Sequence, residues 1–160
     1  MAGWDNFAVI VGGVGGALVG LLFVAISIHA GRIADSASLR HRAGQTLVVF
    51  AMLLLVAVVL SVPSQSDRVV GAELVVLAVG AAILLIRLDR SAGEKVADNP
   101  LSRILRQVNP NVTTALGVAL TGVLLLTGVQ WAPYTLLPTT CAAIVGGLAS
   151  AYLLLTRLTD

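Results

Sequence analysis

Five stretches of this chain run for about the thickness of a bilayer almost without charge. Phe7–Ile28, Ala43–Val62, Val112–Gln130 and Leu136–Leu155 contain no Asp, Glu, Lys or Arg, and Val69–Ile86 contains only Glu73. A spanning helix needs about 20 mostly apolar residues, because the hydrocarbon core is about 30 Å thick and a helix rises about 1.5 Å per residue. The stretches occupy most of the 160 residues and leave no room for a separate soluble domain. Charged side chains make up 11% of the sequence and hydrophobic ones 58%, whereas soluble domains carry about 25% charged residues. So few charges cannot cover a water-facing surface, which excludes an ordinary cytoplasmic enzyme, a disordered chain and a nucleic-acid-binding module.

Several stretches are rich in valine, which favours strands in water. Membrane barrel strands alternate polar and apolar residues over about ten positions, and the run Ala51–Leu60 does not alternate. A helix satisfies its own backbone in hydrocarbon, so all five stretches read as helices. The expected fold is an all-α membrane protein, one domain over residues 1–160. Its spans lie at about 7–28, 43–62, 69–86, 112–130 and 136–155.

Arginine placement sets the orientation. With the amino terminus outside, nine of the ten basic residues lie inside, and Arg68 alone lies outside. Cytoplasmic loops carry such an excess of positive charge. Trp4, Trp131 and Tyr134 then fall at the outer interface, where aromatic rings anchor. No basic residue precedes the first span, unlike a cleaved signal peptide, so it reads as an uncleaved anchor. A multi-pass protein of the cytoplasmic membrane is expected, amino terminus outside and carboxyl terminus inside.

The long connection between the third and fourth spans contains Asp98-Asn99-Pro100, a helix start. Leu101, Ile104, Leu105 and Val108 recur on one face after it, while Arg103 and Arg106 point elsewhere. This predicts a short amphipathic helix over about 100–108 on the inner membrane surface. Arg40 and Arg42, flanking His41, are expected to meet anionic lipid there with Arg103 and Arg106.

Between helices in lipid, association depends on close packing, and small residues mark where backbones meet. Gly12, Gly16 and Gly20 recur every four residues in the first span. The last span carries Ala142, Gly146 and Ser150 in one row and Ala143, Gly147 and Ala151 in the next. The fourth has Thr113, Gly117 and Thr121, with Gly128 a heptad further on. Gly12, Gly16, Gly20, Gly146, Gly147 and Ser150 are the candidate packing residues, within the chain or between subunits. The second span lacks such a row beyond its start and is expected to be the most lipid-exposed.

Ionisable residues inside a membrane are costly and mark functional sites. Glu73 is a candidate cation or proton site, with the alternative that it sits near a helix start where the macrodipole favours an anion. His29 is a second candidate, since histidine titrates near neutrality. Its alternative is an interfacial residue beside a basic loop. Thr113, Thr114, Thr121 and Thr127 give the fourth span a polar stripe, and Thr139 and Thr140 lie near the start of the fifth, although threonine also bonds its own helix at i−4.

No nucleophile–base pair, paired carboxylates, metal cluster or nucleotide-binding loop is written in the sequence, so the expectation is a non-enzymatic protein without cofactor or metal. The single cysteine, Cys141, forms no internal disulfide. An odd number of spans does not divide into the repeats of a transporter. Two readings remain. One is a small homo-oligomeric ion channel or pore-forming subunit. The other is an accessory subunit packing against a larger membrane complex. Both expect contact with lipids, self-association or another membrane protein, and no nucleic acid.

The runs Leu21–His29, Leu39–Thr46 and Gly146–Leu155 resemble a group of small polytopic membrane proteins from high-GC Gram-positive bacteria. The resemblance implies a bacterial membrane protein. It brings no activity and assigns no residue a role.

Overall fold

In a computed structural model, residues 3–91 and 110–159 are described, and among them every regular element is helical. In chain order these are α1 (Asp5–Ile28), α2 (Ala30–Asp35), α3 (Ala37–Ser61), α4 (Asp67–Ser91), α5 (Pro110–Leu126), a 3₁₀ turn (Ala132–Thr135) and α6 (Leu136–Thr159). The expected amphipathic helix at 100–108, with Arg103 and Arg106, lies outside the described residues.

Four helical stretches are long and apolar enough to cross a membrane: Asp5–Ile28, Leu39–Ser61, Asp67–Leu88 and Ala132–Tyr152. These are the features of a membrane protein. α5 is apolar but only 17 residues long, about 25 Å at about 1.5 Å per residue. It ends at Leu126 rather than Gln130 because Gly128, at φ +80°, terminates it. The Gly128 N–H bonds the Leu125 carbonyl and the Val129 N–H bonds that of Leu124, both at 3.1 Å. That pair of bonds closes a helix with a left-handed residue. Gly128 is therefore a helix stop and not a packing residue.

The helices run up and down. The Trp4 ring meets Tyr134 edge-on with centroids 5.4 Å apart, bringing the start of α1 to the α5–α6 turn. Pro63, between α3 and α4, lines a groove with Ala8 at the same end. The opposite end holds His29, α2 and the start of α3. His29 breaks the helix there (φ −112°, ψ 25°), and α2 turns Ile33 into the core.

α3 is the central helix, which corrects the expectation that the second span faces lipid. Half of its span is buried, against 17% for α1. Met52, Val56 and Leu60 face a core shared with α4, α5 and the 3₁₀ turn. Val49, Phe50, Leu53 and Ala57 face a second core shared with α1, α2 and α6. A helix of large side chains needs no glycine row of its own when its neighbours supply the small residues. Gly12 and Gly15 of α1 and Gly147 of α6 do so.

Candidate functional site

The helix contacts make the most specific geometry in the molecule. A β-carbon on Gly71 would lie 2.8 Å from the Gly122 carbonyl oxygen, and one on Gly122 would lie 2.7 Å from that of Gly71. Real side chains do not tolerate such distances, so α4 and α5 touch backbone to backbone there. Gly117 is covered by Thr139 of α6 and Gly147 by the Phe50 ring.

On α1 the observed seam differs from the one expected at four-residue spacing. A β-carbon at Gly12 would meet Ala57 Cβ at 3.2 Å, and one at Gly15 would meet the Leu54 nitrogen at 3.3 Å. A β-carbon at Gly13, Gly16 or Gly20 would meet nothing within 4 Å among the described residues. The seam on α3 thus follows Ala8, Val11, Gly15 and Leu22, while Gly13 borders an open groove beside α3, Gly16 is half-buried and Gly20 is exposed. On α6 the Ala143–Gly147 row is the buried one, and Gly146 and Ser150 are half-buried.

Glu73 is half-buried, and Gln65 donates its Nε2 to both carboxylate oxygens at 3.2 and 3.1 Å. α4 begins at Asp67, so Glu73 lies six residues inside it. The macrodipole fades within the first turn, and the Gln65 amide rather than the helix end is what neighbours this carboxylate. The Oε1 of Gln65 is buried without a hydrogen-bond partner among the described residues. The same loop caps α4, with Ser66 Oγ accepting the Val69 N–H at 3.4 Å.

The threonine hydroxyls bond mostly to their own helices. Thr121 donates to Gly117 (2.9 Å), Thr139 to Thr135 (2.7 Å) and Thr140 to Leu136 (2.8 Å), each at a backbone carbonyl. Thr121 and Thr135 also meet across α5 and the 3₁₀ turn, Oγ to Oγ at 2.6 Å. Thr114, Thr121 and Thr140 are buried.

At the opposite end the His29 ring meets the Ala25 carbonyl through Nδ1 at 3.2 Å. Arg40 donates to the Ala34 carbonyl at 2.5 Å and ties α3 to α2. Arg42 is exposed. His29 and Glu73 stand at opposite ends of the bundle and do not form one site.

Gly15, Gly71 and Gly122 are contact residues that the strict four-residue rule passes over. Their signal lies in mixed small rows: Gly71 with Ala78 and Ala82 on α4, and Ala115, Ala119 and Gly122 on α5. Gln65 carries no motif, because its role depends on how the loop folds back.

Compared with known proteins, the chain matches no family model, no curated protein and no solved structure.

Proposed function

We propose that this protein is a non-enzymatic, multi-pass subunit of the cytoplasmic membrane whose α1 packs against a helix of another subunit. The observation that carries this reading is the open small-residue face of α1. Among the described residues, a β-carbon on Gly13, Gly16 or Gly20 would meet nothing within 4 Å, and α1 is the least buried of the four long helices. In lipid such a face gains van der Waals contact only when a second backbone approaches it. Val9, Ile10, Leu21 and Val24 are exposed on the same helix and give a partner an apolar surface. The four long helices and the shorter α5 all cross the bilayer on this reading, with the Trp4 end outside and the arginine-rich end inside. A span of 17 residues is at the lower limit for a helix. Gentle extraction followed by mass measurement in nanodiscs tests the proposal. A defined homo-oligomer or a complex with a second membrane protein supports it, and a monomer contradicts it.

A pore-forming homo-oligomer is the second reading, favoured by Glu73. This carboxylate lies within an apolar helix, beside the unpartnered Oε1 of Gln65. The buried threonines bond within the chain, so on this reading the conducting path runs between subunits. Ion flux into liposomes, altered by Glu73→Gln, supports the pore. Flux equal to that of empty vesicles removes it.

A further inference from the structure

The backbone contact of Gly71 with Gly122 draws α4 and α5 together at the Trp4 end. Towards the His29 end the same two helices leave an apolar cavity of about 340 Å³ between them. Its walls include Ala78, Ala82, Ala115 and Ala119, whose small side chains leave a slot, and Val112 also lines it. Gln45, from α3, is a polar side chain in the lining, and it makes no side-chain hydrogen bond to any described residue. Ligand pockets share this character: apolar walls, about 300–1,000 Å³, and a few polar groups that fix orientation.

We infer that this slot holds one acyl chain of an anionic glycerophospholipid from the leaflet at the His29 end. The inference rests on the membrane reading above and adds a specific ligand site to it. Three observations select this occupant. The first is size. A volume of about 340 Å³ between alanine walls is of the size that takes a small ligand or a single hydrocarbon chain. The second is depth. Ala78 lies nine residues before Arg87 on α4, about 13 Å along a helix axis, so the slot reaches from headgroup level well into the hydrocarbon. The third is polarity. A carboxamide in an apolar lining needs a partner, and no described residue provides one. Glycerophospholipids carry ester carbonyls at the level between phosphate and chain. Arg42 is exposed three residues before Gln45 on the same face of α3, about 4.5 Å nearer the helix start. Arg42 meets the phosphate, Gln45 donates to an ester carbonyl, and the chain lies between the alanines.

The test uses the full-length protein in nanodiscs containing phosphatidylglycerol with a photoactivatable diazirine midway along one acyl chain. Adducts are mapped by mass spectrometry. Adducts concentrated on the slot alanines, relative to exposed Val76 and Leu120, are expected. Ala115→Phe fills the slot and should lower the slot adducts by about tenfold. Gln45→Leu should lower them several-fold while leaving the fold intact, which keeps the test valid if Ala115→Phe does not fold. A diacylglycerol probe without phosphate should label the slot less than phosphatidylglycerol does. Adducts spread evenly over exposed apolar positions, or unchanged in both variants, overturn the inference. So do crosslinks from Ala119→Cys to a second copy or to residues 92–109, which would show protein in the slot. Failure to enter nanodiscs at all would instead overturn the membrane reading on which the slot depends.

Discussion

Gly71 and Gly122 meet with no side chain between them: a β-carbon on either would come within 2.8 Å of the other's carbonyl oxygen. The nearest atom in the way is backbone on each side, with Leu125 Cβ at 2.9 Å from the one β-carbon and Val75 Cγ2 at 2.8 Å from the other, so little can move aside. This contact joins the short helix α5 to α4. Gly122→Leu should therefore destabilise the fold by about 1–3 kcal/mol, the usual cost of overpacking. Gly16→Leu should change monomer stability by less than about 0.5 kcal/mol, as at an unpartnered surface. Thermal unfolding in detergent compares them. Equal losses in the two variants would show that the α4–α5 crossing is not where the fold is tight.

The open face of α1 gives a second expectation. Gly16→Leu and Gly20→Leu should weaken association between subunits while leaving the monomer folded. Gly15→Leu should damage the monomer itself, because Gly15 is pressed against the α3 backbone. Mass measurement in nanodiscs and thermal unfolding, run in parallel, separate the two outcomes. An unchanged assembly for both Gly16 and Gly20 variants would exclude this face as the interface.

The Gln65–Glu73 pair gives a third. Gln65→Leu leaves a half-buried carboxylate without its amide donor and should cost about 1–3 kcal/mol. Glu73→Gln keeps an amide–amide hydrogen bond and should cost less than Gln65→Leu. The unfolding midpoints of the two variants measure the difference. A larger loss for Glu73→Gln would mean that the charge itself, and not the clasp of the loop, matters at this position.

Much of the architecture was legible because hydrocarbon imposes a length and a polarity on whatever crosses it. α1 and the start of α6 fall where the uncharged stretches place them, at Asp5–Ile28 and from Leu136. The end of α5 was not legible from hydropathy, because Thr127-Gly128-Val129 is apolar enough to continue a span. A positive-φ glycine stops it. The central position of α3 was hidden for a related reason. Phe50 reads as a lipid-facing side chain until Gly147 is brought under it by a different part of the sequence. The partner of Glu73 was illegible because Gln65 reaches it through a loop, eight residues away in sequence. Residues that act in pairs need the fold.

Sidedness at the α5–α6 turn tests the five-span account most directly. In a Cys141→Ser background, Ser36→Cys, Ser64→Cys and Gln130→Cys are each labelled with a membrane-impermeant maleimide in intact cells and in inverted vesicles. Five spans predict that Gln130→Cys labels from the same side as Ser64→Cys, opposite to Ser36→Cys. Labelling of Gln130→Cys from the side of Ser36→Cys would show that α5 does not cross, and would contradict the account.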